Sequence, residues 1–139
     1  MLTDARGVPL SLAVTGANRH DQKGLAPLLR GIIVQRPRPR RGRPQTLCLD
    51  KGFDARPCRR TLARFGYRDG IRCRGEERRA ARGGDPRKRP RRWVVERSHS
   101  WFTNWRKILV RYERKVRNYL GLLHIAAAVM ALRAAHVLG

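Results

Sequence analysis

The sequence predicts an α/β fold in which a mixed sheet is flanked by helices, with long helices toward the C-terminus. Three observations predict this class: a hairpin pattern over residues 2–16, two short strand patterns at 44–50 and 67–73 separated by a helical segment, and long uninterrupted helical stretches after residue 92. The 139 residues suffice for one domain, residues 1–139, with a modest core.

The N-terminal hairpin is predicted from a turn and an alternating strand. Residues 4–7 read Asp-Ala-Arg-Gly, which is a turn sequence, and the residues after them alternate as in a half-buried strand: Val8, Leu10, Leu12 and Val14. The chain begins inside this pattern, so Met1 and Leu2 supply only the end of a strand. We therefore expect a partial sheet whose first strand is missing, with further sequence upstream.

Residues 18–43 predict a helix followed by a linker. Asn18 or Asp21 is expected to cap a helix that runs on to Ile33. His20 and Asp21 have a second interpretation, as a functional pair, which the pattern leaves open. Residues 35–43, QRPRPRRGR, are a basic linker without core-forming side chains, and we expect this linker to be extended and exposed.

The centre of the chain predicts a buried strand, a helix and a third short strand. Residues 44–50 contain an apolar run that suits a buried, parallel strand: Leu47, Cys48 and Leu49. Residues 51–54 break this strand and open a helix over residues 55–65, which Gly66 closes. The inward face of this helix is expected to hold Cys58, Leu62 and Phe65. The third strand is predicted at residues 67–73.

Asp50 has two interpretations because of its position. It ends the predicted strand, and the carboxyl ends of buried strands are where open α/β sheets place their ligands. An aspartate there can equally cap the turn that follows. The residues alone leave both interpretations open.

The charge balance indicates a polyanionic partner. Lys and Arg number 33 against 10 Asp and Glu, which gives a formal net charge of +23. Nucleic acid is the leading candidate, because each neutralised phosphate releases a counterion, and an anionic membrane surface is the second. Much of the charge lies in a basic loop, residues 74–92, which can be a solvated charge run or a loop that tracks phosphates.

Residues 92–114 predict a helix of about six turns, because no proline or glycine interrupts them. Its apolar face would hold Phe102, Trp105, Leu109 and Tyr112, and its basic face Arg97, Asn104, Lys107, Arg111 and Arg114. Glu96 projects from the basic face. There it could form a surface salt bridge with Arg92, or it could bind a metal ion beside a phosphodiester.

Residues 116–138 predict a further helix, rich in alanine and leucine. His124, Arg133 and His136 interrupt it, so its uncharged part is too short for a membrane span and a core or docking helix is expected. The N-terminus has no signal-sequence pattern. The three cysteines form no C-x-x-C pair, which argues against a zinc site and a disulfide framework and favours a reducing compartment.

Four stretches in this order carry a family resemblance: DARGVPL, TGANRHD, LCLDKGFDA and RWVVERSHSWFTNWRKILVRYER. The sequence closely resembles the C-terminal catalytic part of bacterial insertion-sequence transposases of the DDE class. The resemblance implies a partial ribonuclease-H-like fold. It also implies cleavage and strand transfer of DNA at the ends of the element by a two-metal mechanism.

The resemblance implies specific roles for three residues. Asp50 matches the second catalytic, metal-binding carboxylate, Glu96 matches the third, and Arg92 matches a catalytic arginine. Where the family often has a tyrosine and a lysine, this chain has Arg89 and Thr103. The first catalytic aspartate would lie upstream of the DARG turn, and Asp4 belongs to the turn rather than to that position. DNA contacts are expected from the basic loop and helix: Arg87, Lys88, Arg89, Arg91, Arg97, Lys107, Arg111 and Arg114.

The implied cofactor is Mg²⁺, as two ions in a complete site, with Mn²⁺ able to substitute. The implied partners are double-stranded DNA, at transposon ends and targets, and an upstream transposase segment or a further copy of the chain. The expected location is the bacterial cytoplasm, at the nucleoid. Without the first carboxylate, two alternatives to a competent transposase stay open: a catalytically inactive, basic DNA-binding fragment and a basic RNA-binding protein.

Overall fold

A computed structural model describes residues 1–16, 18–40, 42, 44–71 and 92–137, with the backbone alone at residues 92 and 93. Within these residues the chain is mixed α/β, as predicted. Four short strands form two small sheets, and five α-helices and two 3₁₀ turns complete the described elements. The basic loop lies outside the described residues except for its last residue, Arg92.

The N-terminal hairpin is formed by β1 (Leu2–Thr3) and β2 (Pro9–Ser11), which pair antiparallel. Asp4 builds the turn, because its Oδ1 accepts hydrogen bonds from the backbone N–H groups of Arg6 and Val8, both at 2.8 Å. Gly7 follows with a φ of 88°, in the left-handed region that glycine adopts most readily. The predicted hairpin and its turn are confirmed.

The next segment is shorter than predicted. A first 3₁₀ turn (Asp21–Gly24) leads into α1 (Leu25–Arg30). The expected cap by Asn18 or Asp21 was wrong, since His20 precedes the 3₁₀ turn without a side-chain cap and Asp21 lies inside the turn. The helix ends at Arg30 because Gly31 closes it, donating its N–H to the carbonyl of Pro27 at 3.0 Å, and Ile33 is 92% exposed.

The parallel strand predicted in the centre of the chain is present. β3 (Thr46–Leu47) pairs parallel with β4 (Arg68–Asp69). Leu47 is buried, but Cys48 is exposed, so the expected burial of Cys48 was wrong. Successive side chains along an extended chain point to opposite sides, and the inward position at Leu47 therefore directs Cys48 outward.

Between these strands lie a second 3₁₀ turn (Lys51–Phe53) and α2 (Arg56–Arg64). Gly66, with a φ of 71°, ends α2 as predicted. The N–H of Gly66 donates to the carbonyl of Ala63 and the N–H of Tyr67 to that of Leu62, both at 2.9 Å, which is the bonding of a Schellman cap. The first core cluster packs α2 against α1 and β3: Leu25, Leu29, Leu47, Cys58 and Leu62.

The linker that begins at residue 35 is attached to this core at Arg36. The guanidinium of Arg36 lies 3.8 Å from the ring centroid of Tyr67. It also donates to Oε1 of Gln45, at 2.6 and 3.0 Å, and to the carbonyl of Phe65 at 2.7 Å. The expectation of a wholly exposed linker was therefore wrong at this residue, which is half-buried.

The predicted six-turn helix is interrupted. The structure has α3 (Arg92–Thr103), a short α4 (Arg106–Leu109) and, after a non-helical connection, α5 (Val116–Ala134). Phe102 and Ile108 both pack on Ala126 in a second core cluster. On one continuous helix these two side chains would lie about 120° apart, so the break between α3 and α4 lets both reach the cluster.

The buried face of α3 also differs from the predicted one. Its buried side chains follow each other at intervals of four residues: Val94, Ser98 and Phe102. From the predicted apolar face, Trp105, Leu109 and Tyr112 are 38%, 60% and 74% exposed, because the chain has turned before they occur. Among the described helices, none is long and apolar enough to cross a membrane.

Candidate active site

An acidic cleft of about 600 Å³ lies between the hairpin, the first 3₁₀ turn, the end of β3 and α3. Four carboxylate residues from these different elements line it: Asp4, Asp21, Asp50 and Glu96. The floor is apolar and includes Leu25, Leu29 and Leu47 from the first core cluster. Two acids that lie 46 positions apart in the sequence, Asp50 and Glu96, thus face one cavity.

Asp50 reaches the cleft from the turn after β3. It is the N-cap of the second 3₁₀ turn, and its Oδ1 accepts a hydrogen bond from the backbone N–H of Lys51 at 2.7 Å. The side chain is exposed and lines the cleft. The position of Asp50 therefore allows both interpretations, because the residue caps the turn and also lines the cleft.

Glu96 reaches the cleft because the opposite side of α3 is fixed to the hairpin. The buried Oγ of Ser98 donates to the carbonyl of Gly7 at 2.7 Å, and Nη2 of Arg97 donates to the carbonyl of Arg6 at 2.6 Å. At about 100° per residue, Glu96 lies some 160° around the helix from Ser98. Anchoring Ser98 to the hairpin therefore turns Glu96 toward the cleft. Among the described side chains, none forms an ion pair with Glu96.

The sequence indicates two possible roles for Asp21, a helix cap or half of a functional pair with His20. It lies in the wall of the cleft, whereas His20 is not among the lining residues. The turn of Asp21 is joined to the turn of Asp50, because Nε2 of Gln22 donates to the carbonyl of Gly52 at 2.7 Å. Asp4 has a structural role, because its Oδ1 accepts the hydrogen bonds that stabilise the hairpin turn.

Two further groups in the cleft are affected by burial. Burial lowers the pKa of His99, and the positive N-terminal amine lowers it further. Burial also lowers the pKa of the Met1 amine, against an opposing effect of Asp21. No sequence motif indicated His99, although its position three residues after Glu96 places it on the same side of α3.

The residues predicted to contact DNA lie in several parts of the chain rather than on one face of a helix. Arg87, Lys88, Arg89 and Arg91 lie outside the described residues, and Arg92 is the first residue of α3. Arg97 lies on the side of α3 away from the cleft, where it lines a hollow of about 300 Å³ with Arg6, Trp101 and Arg133.

The remaining predicted contacts lie beyond the break in the helix. Lys107 is on α4, and Arg111 and Arg114 are in the connection to α5, all three exposed. The expectation that these residues and Arg97 share one basic face was wrong because the helix ends at Thr103. The predicted cations therefore lie on α3, on α4 and in the connection to α5 instead of on a single helical face.

Comparison with known proteins identifies the family. Residues 1–131 match the sequence profile of the Transposase DDE domain, and the chain belongs to this family of insertion-sequence transposases. It is 36% identical over 124 residues to a Burkholderia cepacia protein named as a transposase for insertion sequence element IS402. The match covers 83% of this chain and 53% of that protein, so the chain spans about half the length of this relative. No solved structure matches the chain.

Proposed function

We propose that the acidic cleft is part of the catalytic centre of a DDE transposase, which cleaves DNA at the ends of an insertion sequence and joins them to a target. In this proposal Asp50 and Glu96 are the second and third catalytic carboxylates, and Arg92 is the catalytic arginine. The observation that carries it is that Asp50 and Glu96, selected from the sequence, line the same cleft.

The chemistry of the cleft fits divalent cations. Carboxylate oxygens are the hard donors that Mg²⁺ prefers, and Mg²⁺ retains several waters, so few protein ligands are needed. Two such ions, when bound, activate the attacking oxygen and stabilise the leaving one. Asp50 and Glu96 would hold the metal, Mg²⁺ or Mn²⁺. Among the described residues, no three His, Cys, Asp or Glu side chains group closely enough to hold an ion.

We therefore propose that a further carboxylate, the first of the three, comes from a segment outside this chain. Asp4 does not replace it, because the Asp4 carboxylate is held by the hairpin turn. Since the match covers only 53% of the relative, that protein has further residues in which such a segment could lie. The complete site would then combine one strand from that segment with the partial ribonuclease-H-like fold of this chain.

The basic surface supplies the DNA contacts. The formal net charge of +23 attracts phosphates, and the arginines offer planar, bidentate donors for them. The hollow behind α3 presents three guanidinium groups, those of Arg6, Arg97 and Arg133. These contacts would position double-stranded DNA without reading its bases. A protein acting on DNA in this way would work at the bacterial nucleoid.

Nicking of supercoiled plasmid tests the proposal, with the chain alone and together with the separately expressed upstream half of a transposase. We expect Mg²⁺- or Mn²⁺-dependent nicking in the mixture. Asp50→Asn and Glu96→Gln should each abolish it. Asn at position 50 still accepts the hydrogen bond from the backbone N–H of Lys51, so the turn is preserved. Loss of nicking in this variant would therefore result from the loss of the carboxylate charge.

Glu113→Gln is the matched control, because Glu113 lies outside the cleft and its bond from Asn118, at 3.2 Å, can be kept by the new amide oxygen. Manganese binding followed by electron paramagnetic resonance gives a second measurement that does not depend on nicking. Nicking that survives both cleft substitutions would disprove the assignment of Asp50 and Glu96.

The alternative function is DNA binding without catalysis. It is favoured by the absence of a three-residue metal cluster among the residues that the structure describes. In this case the mixture would show no nicking, while the chain alone would bind duplex DNA with an affinity that falls steeply as salt rises. Preference for structured RNA over duplex DNA at equal salt would instead support the RNA-binding interpretation.

A further inference from the structure

The hollow behind α3 combines cations with an aromatic wall. Residues from the hairpin turn, α3 and α5 meet there, among them Arg6, Arg97, Trp101, Met130 and Arg133. No Asp or Glu is among the described residues that line it. An anion that enters the hollow would therefore meet guanidinium groups from three different elements and no opposing carboxylate in the wall.

The positive charge is in place before any ligand arrives. Nη2 of Arg97 donates to the carbonyl of Arg6 at 2.6 Å, and this bond holds the Arg97 side chain beside the hairpin turn. The contact of the Arg6 guanidinium with Asp4 is long, at 3.9 Å, and the Arg6 side chain is 79% exposed. A site that is organised in advance loses less entropy when it binds a ligand.

Trp101 gives the hollow a flat apolar wall, and it is 42% exposed. Cζ of Arg133 lies 6.0 Å from the centroid of the Trp101 ring, whereas Cζ of Arg36 lies 3.8 Å from that of Tyr67. Flat groups in contact are about 3.5–4.0 Å apart, so a ring between two such groups separates them by about 7–8 Å. Because Arg133 is exposed, a shift of its side chain by about 1–2 Å would admit a flat ring beside Trp101.

The size and lining of the hollow favour one nucleotide over other anions. Its volume of about 300 Å³ is at the lower end of the range for small-ligand sites, about 300–1,000 Å³. A duplex backbone requires surface charge and makes no use of an aromatic wall. An acidic peptide side chain has the charge but no flat ring. A nucleotide uses both features, because its base stacks on aromatic side chains and its phosphate binds guanidinium groups.

We propose that the hollow behind α3 binds a single nucleotide, with the base against Trp101 and the phosphate on Arg6, Arg97 and Arg133. An unpaired nucleotide of a DNA strand and a free nucleotide in solution present the same base and phosphate, so both are ligands of this chemistry. The proposal rests on the proposed function only for the DNA phosphate contact, to which it adds the base. It is independent of the metal chemistry proposed for the acidic cleft.

Binding of labelled DNA to the full 139-residue chain at fixed salt tests the role of the base. The probes are a blunt duplex, the same duplex with a two-nucleotide overhang, and the same duplex with an abasic overhang. We expect the normal overhang to bind at least about fivefold more tightly than the abasic one, because stacking of a base on an aromatic ring has this effect. The blunt duplex should bind no more tightly than the abasic probe.

Substitutions locate this preference. Trp101→Ala should remove it and Trp101→Phe should retain most of it, whereas Trp105→Ala, at a tryptophan of similar exposure outside the hollow, should leave it unchanged. Arg133→Gln should lower the affinity for the normal overhang severalfold. Arg117→Gln, with the same loss of charge on the same helix but outside the hollow, should lower it much less. Circular dichroism checks that each variant keeps its helix content.

Quenching of tryptophan fluorescence by adenosine 5′-monophosphate, with inorganic phosphate as the control, tests the free nucleotide without DNA. Quenching by the nucleotide alone that is lost in Trp101→Phe would support a site open to free nucleotides. A preference for the normal overhang without such quenching would support a nucleotide within DNA.

Equal affinity for the normal and abasic overhangs, together with no quenching that depends on Trp101, would overturn the nucleotide site. If the duplex still binds in that case, the DNA contacts of the proposed function are unaffected. A chain that binds none of the DNA probes would instead refute those contacts, and the quenching measurement would then decide on the nucleotide site by itself.

Discussion

Replacement of Gly7 by alanine should destabilise the protein and displace Glu96 at the same time. Gly7 has a φ of 88°, and a Cβ at this position would lie 2.8 Å from Oγ of Ser98 and 3.2 Å from Nη2 of Arg97. These are the two side chains that fix α3 to the hairpin. Alanine therefore strains the backbone and separates α3 from the turn on which it rests.

Two contributions determine the expected loss in the free energy of unfolding. A non-glycine residue in the left-handed region costs about 1–2 kcal/mol. Moving Ser98 away weakens its buried hydrogen bond to the carbonyl of Gly7, which costs a further ~1–3 kcal/mol. We expect Gly7→Ala to lower the free energy of unfolding by about 2–5 kcal/mol, a large part of the ~5–15 kcal/mol typical of domains.

Urea denaturation measures this loss, with Gly66→Ala as the control. Gly66 has a φ of 71°, but a Cβ there would meet no atom within 4 Å, so only the backbone term of about 1–2 kcal/mol applies. In a Ser98→Ala background the crowding is relieved, and the cost of Gly7→Ala should fall toward that of the control. Equal losses at Gly7 and Gly66 in the wild-type background would refute the reasoning.

Two further predictions concern other parts of the chain. Arg36→Ala removes the bonds to Gln45 and Phe65 and the stacking on Tyr67, and should cost about 1–3 kcal/mol in urea denaturation, whereas the exposed Arg38→Ala should cost almost nothing. Because the folded-state pKa of His99 is lowered from 6.5, the unfolded chain binds that proton more readily, so stability should fall as the pH drops below about 6.5. The urea midpoint of His99→Gln should depend less on pH over this range, and an unchanged dependence would contradict the interpretation.

Features with a local chemical cause could be predicted from the sequence. The turn at residues 4–7 depends on the Asp4 side chain and on Gly7, and the end of α2 depends on Gly66, so a few neighbouring residues specify each of them. The parallel arrangement of β3 was expected from its short apolar run, whereas its pairing with β4 is known from the structure alone. Such signals lie within a short stretch of chain.

Features that depend on distant contacts could not be predicted. The helix after residue 92 contains no proline or glycine, yet it breaks after Thr103, where both Phe102 and Ile108 turn toward Ala126. The orientation of Glu96 depends on the bond between Ser98 and Gly7, which are 91 positions apart. Sequence patterns selected Asp50 and Glu96 as candidates, but the cleft that both residues line exists only in the folded chain.

The different surroundings of two cysteines offer a way to observe the acidic cleft directly. Cys48 is exposed in the cleft wall, two positions before Asp50, whereas Cys58 is buried and burial raises the pKa of its thiol. Thiol reagents attack the exposed sulfur first. With Cys73 replaced by serine, a spin label or fluorophore can therefore be attached beside Asp50. Its signal would report the arrival of manganese or DNA without any cleavage having to occur.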